Sequence, residues 1–388
     1  MQTTANHPLA LASLLMVAMM GASILTLLPL WVGALTDLNL YSQQQIGWLA
    51  AADVVGIFAA SASAIVWVRR LAWRPTLMGG LGLFLMANLL CLLVTDVAAL
   101  MALRVVAGLG CGAAYAVALA GLGDHERPDF AFGLMVTAQV VFGTLGFFWA
   151  PGFIAEWGID GFFHYLNLWL LATLMACFLC TPSSSKASGE SAFALKPLLT
   201  GNALLVFATT VVYYLGVSAV WAYLERLGIS MGLTGEQVGD WLGTGFAISG
   251  AGSFVAAFIG RVTGKLAAFS GALVLQTVAI FWLMGDPLNL ALVSLYAVST
   301  IVFQFFWSFA VPLLMDRFNS VDASGRLIVL CASAFKIGEI LGPPMAAALI
   351  VEGNYTPVLW LGVVAFGISW VLFAVLEMRL KNARVNHA

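Results

Sequence analysis

Charge is scarce in this chain. Of its 388 residues, 9% are Asp, Glu, Lys or Arg and 62% are hydrophobic, and the mean hydropathy is +1.00. A soluble domain carries about 25% charged residues, so this composition excludes one and predicts a polytopic membrane protein. The formal net charge is −2 and no basic face stands out, which points away from nucleic acid. Histidine is also rare. His7, His125, His164 and His387 lie mostly at loops or ends, and no H-E-x-x-H or Ser-His cluster occurs, so a membrane enzyme is not expected. No G-x-x-x-x-G-K-[ST] loop is present, so direct drive by ATP is not expected either.

The five cysteines (Cys91, Cys111, Cys177, Cys180, Cys331) all sit in apolar segments. Cys177 and Cys180 form a C-x-x-C without a second pair or a histidine cluster, so they read as packing residues rather than a metal site. Met1 to Leu9 hold no Lys or Arg, and the apolar run behind them is too long for a signal-peptide core. It reads as the first spanning helix.

What the chain does have is long apolar runs. A span needs about 20 apolar residues. On that rule twelve are expected, near 10–34, 44–68, 75–95, 97–122, 130–153 and 162–181, then near 199–226, 235–260, 266–284, 288–315, 323–351 and 356–378. Between the two sets lies the one long polar segment, Thr181 to Pro197, which reads as a linker. The expected organisation is an N-terminal six-helix bundle (1–181), a cytoplasmic linker (182–198) and a C-terminal six-helix bundle (199–388).

Lys and Arg set the orientation. With the N-terminus in the cytoplasm, thirteen of the sixteen fall in cytoplasmic loops and Arg226 alone lies outside, while Arg104 and Lys336 fall within spans. Both termini are then cytoplasmic, and the bias fits a bacterial inner membrane. Trp31, Trp48 and Trp157 near outer ends and Trp67 and Trp73 near inner ends are expected as interfacial anchors.

The two halves echo each other. Ser42-Gln-Gln-Gln-Ile-Gly opens the second span and Thr234-Gly-Glu-Gln-Val-Gly the eighth, each with a hydroxyl followed three residues later by Gln, the pattern of a capping box. The offset is 192 residues, about half the chain. Gly143, Gly146 and Pro151 in span five are echoed by Gly338, Gly342 and Pro343 in span eleven. Two parallel six-helix repeats with solute bound between them is a transporter architecture.

These features resemble the major facilitator superfamily of secondary transporters over essentially the whole length. Arg104-Val-Val-Ala-Gly-Leu-Gly in span four is similar to the family's Arg-x-x-x-Gly motif. The stretch from Gly143 to Gly152 is similar to its antiporter-associated motif. The loop after span two, where the family shows Asp-Arg-x-Gly-Arg-Arg, reads Val68-Arg-Arg-Leu-Ala-Trp-Arg74. It keeps the basic residues, but no acid occurs between Gly56 and Arg74. The resemblance implies an all-α fold of twelve transmembrane helices in two pseudo-symmetric bundles. It also implies transport by alternating access, and in the family's drug exporters the motif arginine is assigned to proton handling.

Six ionisable residues lie in or at the edge of spans: Asp53, Arg104, Glu225, Asp240, Lys336 and Glu339. A charge at membrane depth costs at least about 2.5–3.5 kcal/mol, so it faces a partner or an aqueous cavity. Asp53 and Arg104 lie at similar depth on two helices, which predicts an ion pair, either structural or coupling. Lys336 and Glu339 are three residues apart and share a helix face. The substrate-binding residues expected are Arg104, Lys336, Gln139, Gln304, Tyr115, Tyr213, Tyr214 and Trp307, with Asp53 and Glu339 as proton carriers. Glu225 and Asp240 read as surface or gate residues. The expected activity is proton-coupled symport of a small organic anion. Export of amphipathic compounds by proton antiport is the alternative within the class, and a transporter-like receptor without flux the alternative outside it. No cofactor is expected. The driving ion is H⁺, with Na⁺ also compatible, and the partners are a small-molecule substrate and membrane lipid around a monomer.

Overall fold

The computed structural model describes residues 6–181, 200–285, 291–321 and 328–385. The expected linker, 182–198, lies outside the described residues. The chain divides into two compact units, Met1–Ser191 and Ala192–Ala388. The first holds α1 (Pro8–Thr26), α2 (Leu28–Asp37), α3 (Gln43–Trp67), α4 (Trp73–Cys91), α5 (Val97–Gly123), α6 (Pro128–Trp157) and α7 (Ile159–Leu179). The second holds α8 (Gly201–Ser230), α9 (Gly235–Val262), α10 (Lys265–Met284), α11 (Leu292–Val321), α12 (Ile328–Leu349) and α13 (Thr356–Val385).

Eleven of these helices are long and apolar enough to cross a membrane. The other two complete the expected twelve spans. α2 continues α1 after a break at Leu27, where the backbone leaves helical geometry (φ −95°, ψ 16°). Pro29 causes the break, because it has no N–H to give the carbonyl four residues back. The first span is therefore two helices, not the one expected over 10–34. α12 is long enough at 22 residues, but it carries Lys336, Glu339, Pro343 and Pro344.

Both expected capping boxes form. The Ser42 N–H donates to Gln45 Oε1 at 2.8 Å, and the Gln45 N–H donates to Ser42 Oγ at 3.3 Å. The Thr234–Gln237 pair repeats this at 3.0 and 3.2 Å. These caps start α3 and α9, which occupy equivalent places. α3 packs along α5 in the first unit, and α9 packs along α11 in the second.

In lipid, helices are held by close packing rather than by hydrophobic exclusion, so small residues decide where backbones meet. In the first unit Gly56, Gly108 and Gly112 form the α3–α5 seam, and a Cβ added at Gly112 would sit 2.7 Å from the Ile57 carbonyl oxygen. In the second unit Gly338 and Gly342 of α12 meet α8, where a Cβ on Gly342 would lie 2.7 Å from the Leu215 carbonyl oxygen. Trp48 and Trp157 are exposed at helix ends, as anchors should be. Trp31 and Trp73 are not anchors. They are 1% and 3% exposed, because Trp31 stacks on Phe162 and Trp73 donates its indole N–H to the Val68 carbonyl oxygen.

Replacing Gly112 by Val forces backbone apart at a seam with no slack. Overpacking of this kind costs about 1–3 kcal/mol, so thermal unfolding in detergent is expected several degrees below wild type, while Gly82→Ala, with nothing within 4 Å, melts as wild type.

Candidate functional site

Two charged clusters stand out, one inside each unit. In the first, the Arg104 guanidinium forms a fork on Asp53, with Nε–H donating to Oδ2 at 2.9 Å and Nη2–H donating to Oδ1 at 2.6 Å. The Arg104 and Asp53 side chains are 0% and 1% exposed. Gly108, one turn along α5 from Arg104, lets the Asp53 backbone come close enough for this short reach. The third face of the guanidinium is also used. Nη1–H donates to Asn88 Oδ1 of α4 at 2.6 Å, and Asn88 Nδ2–H donates to Asn167 Oδ1 of α7 at 3.0 Å. The Trp31 and Phe163 rings lie 5.6 and 5.3 Å from Arg104 Cζ. Four helices and two rings thus close around one cation. The expected pair is present, and its partners all belong to the first unit.

In the second unit, Lys336 Nζ lies 2.7 Å from Glu339 Oε2, with side-chain exposures of 20% and 16%. This cluster is more open than the first. Phe335 stacks on Tyr214 of α8 with ring centroids 4.3 Å apart. The Trp307 indole of α11 reaches the Tyr214 hydroxyl, and Glu339 lies near enough to Tyr214 to act on it electrostatically. Lys336, Glu339, Tyr214 and Trp307 are therefore neighbours. One turn along α11 from Trp307, the Gln304 amide is 1% exposed, and neither its oxygen nor its nitrogen has a hydrogen-bond partner among the described residues. It presses against Gly245 of α9.

The remaining expected residues do not join this group. Tyr213 turns the other way and donates its hydroxyl to Gln276 Oε1 at 3.0 Å, and Gln276 in turn donates to the Phe303 carbonyl oxygen. Adjacent residues on a helix point about 100° apart, so only one of a Tyr-Tyr pair can face α12. In the first unit, Gln139 donates to the Ala18 carbonyl oxygen at 3.1 Å, and the Tyr115 ring fills the space over Gly21. Both hold α1 in place. Asp240 is exposed. Glu225 and Arg226 are not at the surface, being 6% and 7% exposed and paired with each other. α8 runs on to Ser230, one turn past the expected end at 226, so both residues lie inside the helix rather than at its end.

Several polar residues had no sequence signal beyond their type. Asn88, Asn167 and Gln276 are single amides in apolar runs, and only the principle that an amide in lipid must find a partner marks them. Asp124 was hidden by distance. Arg69 in the loop after α3 forms a fork on it, with Nη1–H donating to Oδ2 at 2.6 Å and Nη2–H to Oδ1 at 2.9 Å. The acid absent from that loop is thus supplied from the end of α5. In the second unit Asp316, 192 residues on, lies 3.4 Å from Lys265, and its neighbour Arg317 lies 2.6 Å from Glu377. Among the described residues, no three His, Cys, Asp or Glu side chains converge in a metal-binding group.

Removing one partner of a buried ion pair leaves the other charge uncompensated, at a cost of about 3–5 kcal/mol. Arg104→Gln is expected to lower thermal stability sharply, and adding Asp53→Asn to recover part of the loss. A double-mutant cycle on melting in detergent measures both.

Comparison with known proteins agrees with this architecture. The family model described as Major Facilitator Superfamily matches residues 10–265. A crystal structure of a mutant of the nucleoside transporter NupG superposes with a TM-score of 0.76 at 11% identity, covering 96% of this chain and 99% of that one. An uncharacterized transporter of Schizosaccharomyces pombe is 30% identical over 149 residues, which is 36% of this chain. The match spans 25% of that relative's length. With a family match over more than half its length and a twelve-span, two-bundle fold, this chain belongs to the Major Facilitator Superfamily.

Proposed function

We propose that the protein is a secondary active transporter that takes up a small organic anion together with a proton by alternating access. The family and the structural neighbour are those of non-enzymatic transporters. The observation that carries the finer reading is the half-open Lys336–Glu339 pair beside Tyr214 and Trp307. A lysine on that face attracts a carboxylate as a point charge. Glu339, already in contact with it, is the group whose protonation frees Lys336 for the incoming anion. Binding of anion and binding of proton then favour each other, which is the requirement for symport. Gln304 supplies an amide that has no hydrogen-bond partner among the described residues. Arg104, held on all sides within its own unit, leaves the anion to Lys336, and Asp53 is the second candidate proton carrier.

A second reading has its own support. Phe335 and Trp307, both part-exposed, offer aromatic surface near a lysine that Glu339 neutralises, which suits an uncharged ring-bearing solute. The NupG neighbour is described as a nucleoside transporter, in line with this. We further propose a bacterial inner-membrane location with both termini in the cytoplasm, supported by the thirteen basic residues assigned to that side.

The readings separate in proteoliposomes, by counterflow with a panel of carboxylates and nucleosides. For a carboxylate substrate, Lys336→Ala is expected to reduce affinity tenfold or more, a change of about 1.4 kcal/mol. Glu339→Gln is expected to keep counterflow but lose accumulation driven by a pH gradient. Nucleoside counterflow unaffected by Lys336→Ala would favour the second reading.

A further inference from the structure

The proposed function makes no use of the two buried asparagines beside Arg104. Asn88 is 0% and Asn167 7% exposed, and they come from different helices, α4 and α7. Their geometry is directional. Asn88 Nδ2–H donates to Asn167 Oδ1, and this fixes which way the Asn88 amide faces. Its carbonyl oxygen is thereby turned toward Arg104, whose Nη1–H it accepts at 2.6 Å. With the amide turned over, an NH₂ group would meet the guanidinium. Asn167 Nδ2 has no partner among the described residues. This asparagine therefore braces Asn88 at the expense of its own hydrogen bonding.

We propose that Asn88, braced by Asn167, is a positioning residue that holds the Arg104 guanidinium when Asp53 takes up a proton. The inference rests on the reading of Asp53 as a proton carrier. The groups facing the guanidinium are few. Asp53 comes from α3, and Asn88 and the Cys91 thiol, 3.9 Å from Nη1, come from α4. Trp31 and Phe163 come from α2 and α7, and Asn167 stands behind Asn88. Asp53, Arg104 and Cys91 are the titratable ones. While Asp53 is ionised, it engages two of the guanidinium's three nitrogens, and Asn88 engages the third. Once Asp53 is protonated, the carboxylate is gone, and the Asn88 carbonyl oxygen is the strongest acceptor left within reach. Asn88 therefore stabilises the protonated state more than the ionised one, and a ligand shifts an equilibrium only through such a difference. Without Asn88, protonation of Asp53 would strand a cation in a dry interior. With it, the cation keeps an anchor.

The test is infrared spectroscopy of the purified full-length protein, following the carbonyl band of protonated Asp53 with pH and assigning it by its loss in Asp53→Asn. In Asn88→Leu the band is expected at lower pH than in wild type, displaced by about one pH unit, a tenfold change. Asn88→Asp gives Arg104 a second carboxylate and is expected to move it the opposite way. Asn167→Ser removes only the brace, keeps the core volume closer to wild type, and is expected to move the band in the direction of Asn88→Leu by a smaller amount. A band that titrates at wild-type pH in both Asn88→Asp and Asn167→Ser overturns the proposal, as does its absence from all forms between about pH 4 and 9. Displacement of the band without any change in the pH dependence of transport would leave Asn88 as the positioning residue and remove Asp53 from proton coupling.

Discussion

A charge in hydrocarbon must find a partner, and this chain meets that demand with forks and pairs rather than with distance from lipid. Arg104 shows the most complete solution. Its carboxylate, its amide and its two aromatic walls arrive on α3, α4, α2 and α7. Each of those helices is thereby fixed in rotation about its own axis. Glycine does the complementary work, because a guanidinium on α5 can fork onto α3 only where Gly56, Gly108 and Gly112 let the backbones touch. Packing and electrostatics are one constraint here. The same seam that buries the pair brings it within hydrogen-bond length.

The second unit meets the demand differently. At the repeat positions of Asp53 and Arg104 stand Gly245 and Tyr296, so the charge pair is not duplicated. Tyr296 instead donates its hydroxyl to the Leu224 carbonyl oxygen. This unit carries a buried Glu225–Arg226 pair on α8 and a more open Lys336–Glu339 pair on α12, flanked by aromatics. Two contacts near helix ends, by contrast, are repeated. Both capping boxes form, and Asp124, just past the end of α5, and Asp316, in the last turns of α11, each meet a basic residue.

Much of this architecture is legible in the sequence because membrane helices are written in long runs. Span count, the caps at Ser42 and Thr234, and the Asp53–Arg104 and Lys336–Glu339 pairings all follow from hydropathy, spacing or depth. What is not legible depends on which way a side chain turns. Tyr213 and Tyr214 look alike in the sequence, yet one packs into the bundle and the other meets α12. Trp31 looks like an interfacial anchor until Arg104 is seen above it. Asn88 and Asn167 lie 79 residues apart, and Arg69 and Asp124 lie 55 apart, separations that no local pattern reports. The break at Leu27 was available from Pro29 alone, but apolar content on both sides of it masks the interruption.

Gln304 has a consequence for how the molecule responds to its surroundings. An amide left without partners in a dry interior costs about 1–3 kcal/mol. Among the described residues, Gln304 is one of several buried side chains of the second unit that carry such a deficit. Under the proposed transport reading, a guest that offered the Gln304 amide one donor and one acceptor would remove the deficit as it bound. Recognition there would then be selective for shape and polarity together, since a purely apolar guest would fill the space and leave the penalty standing.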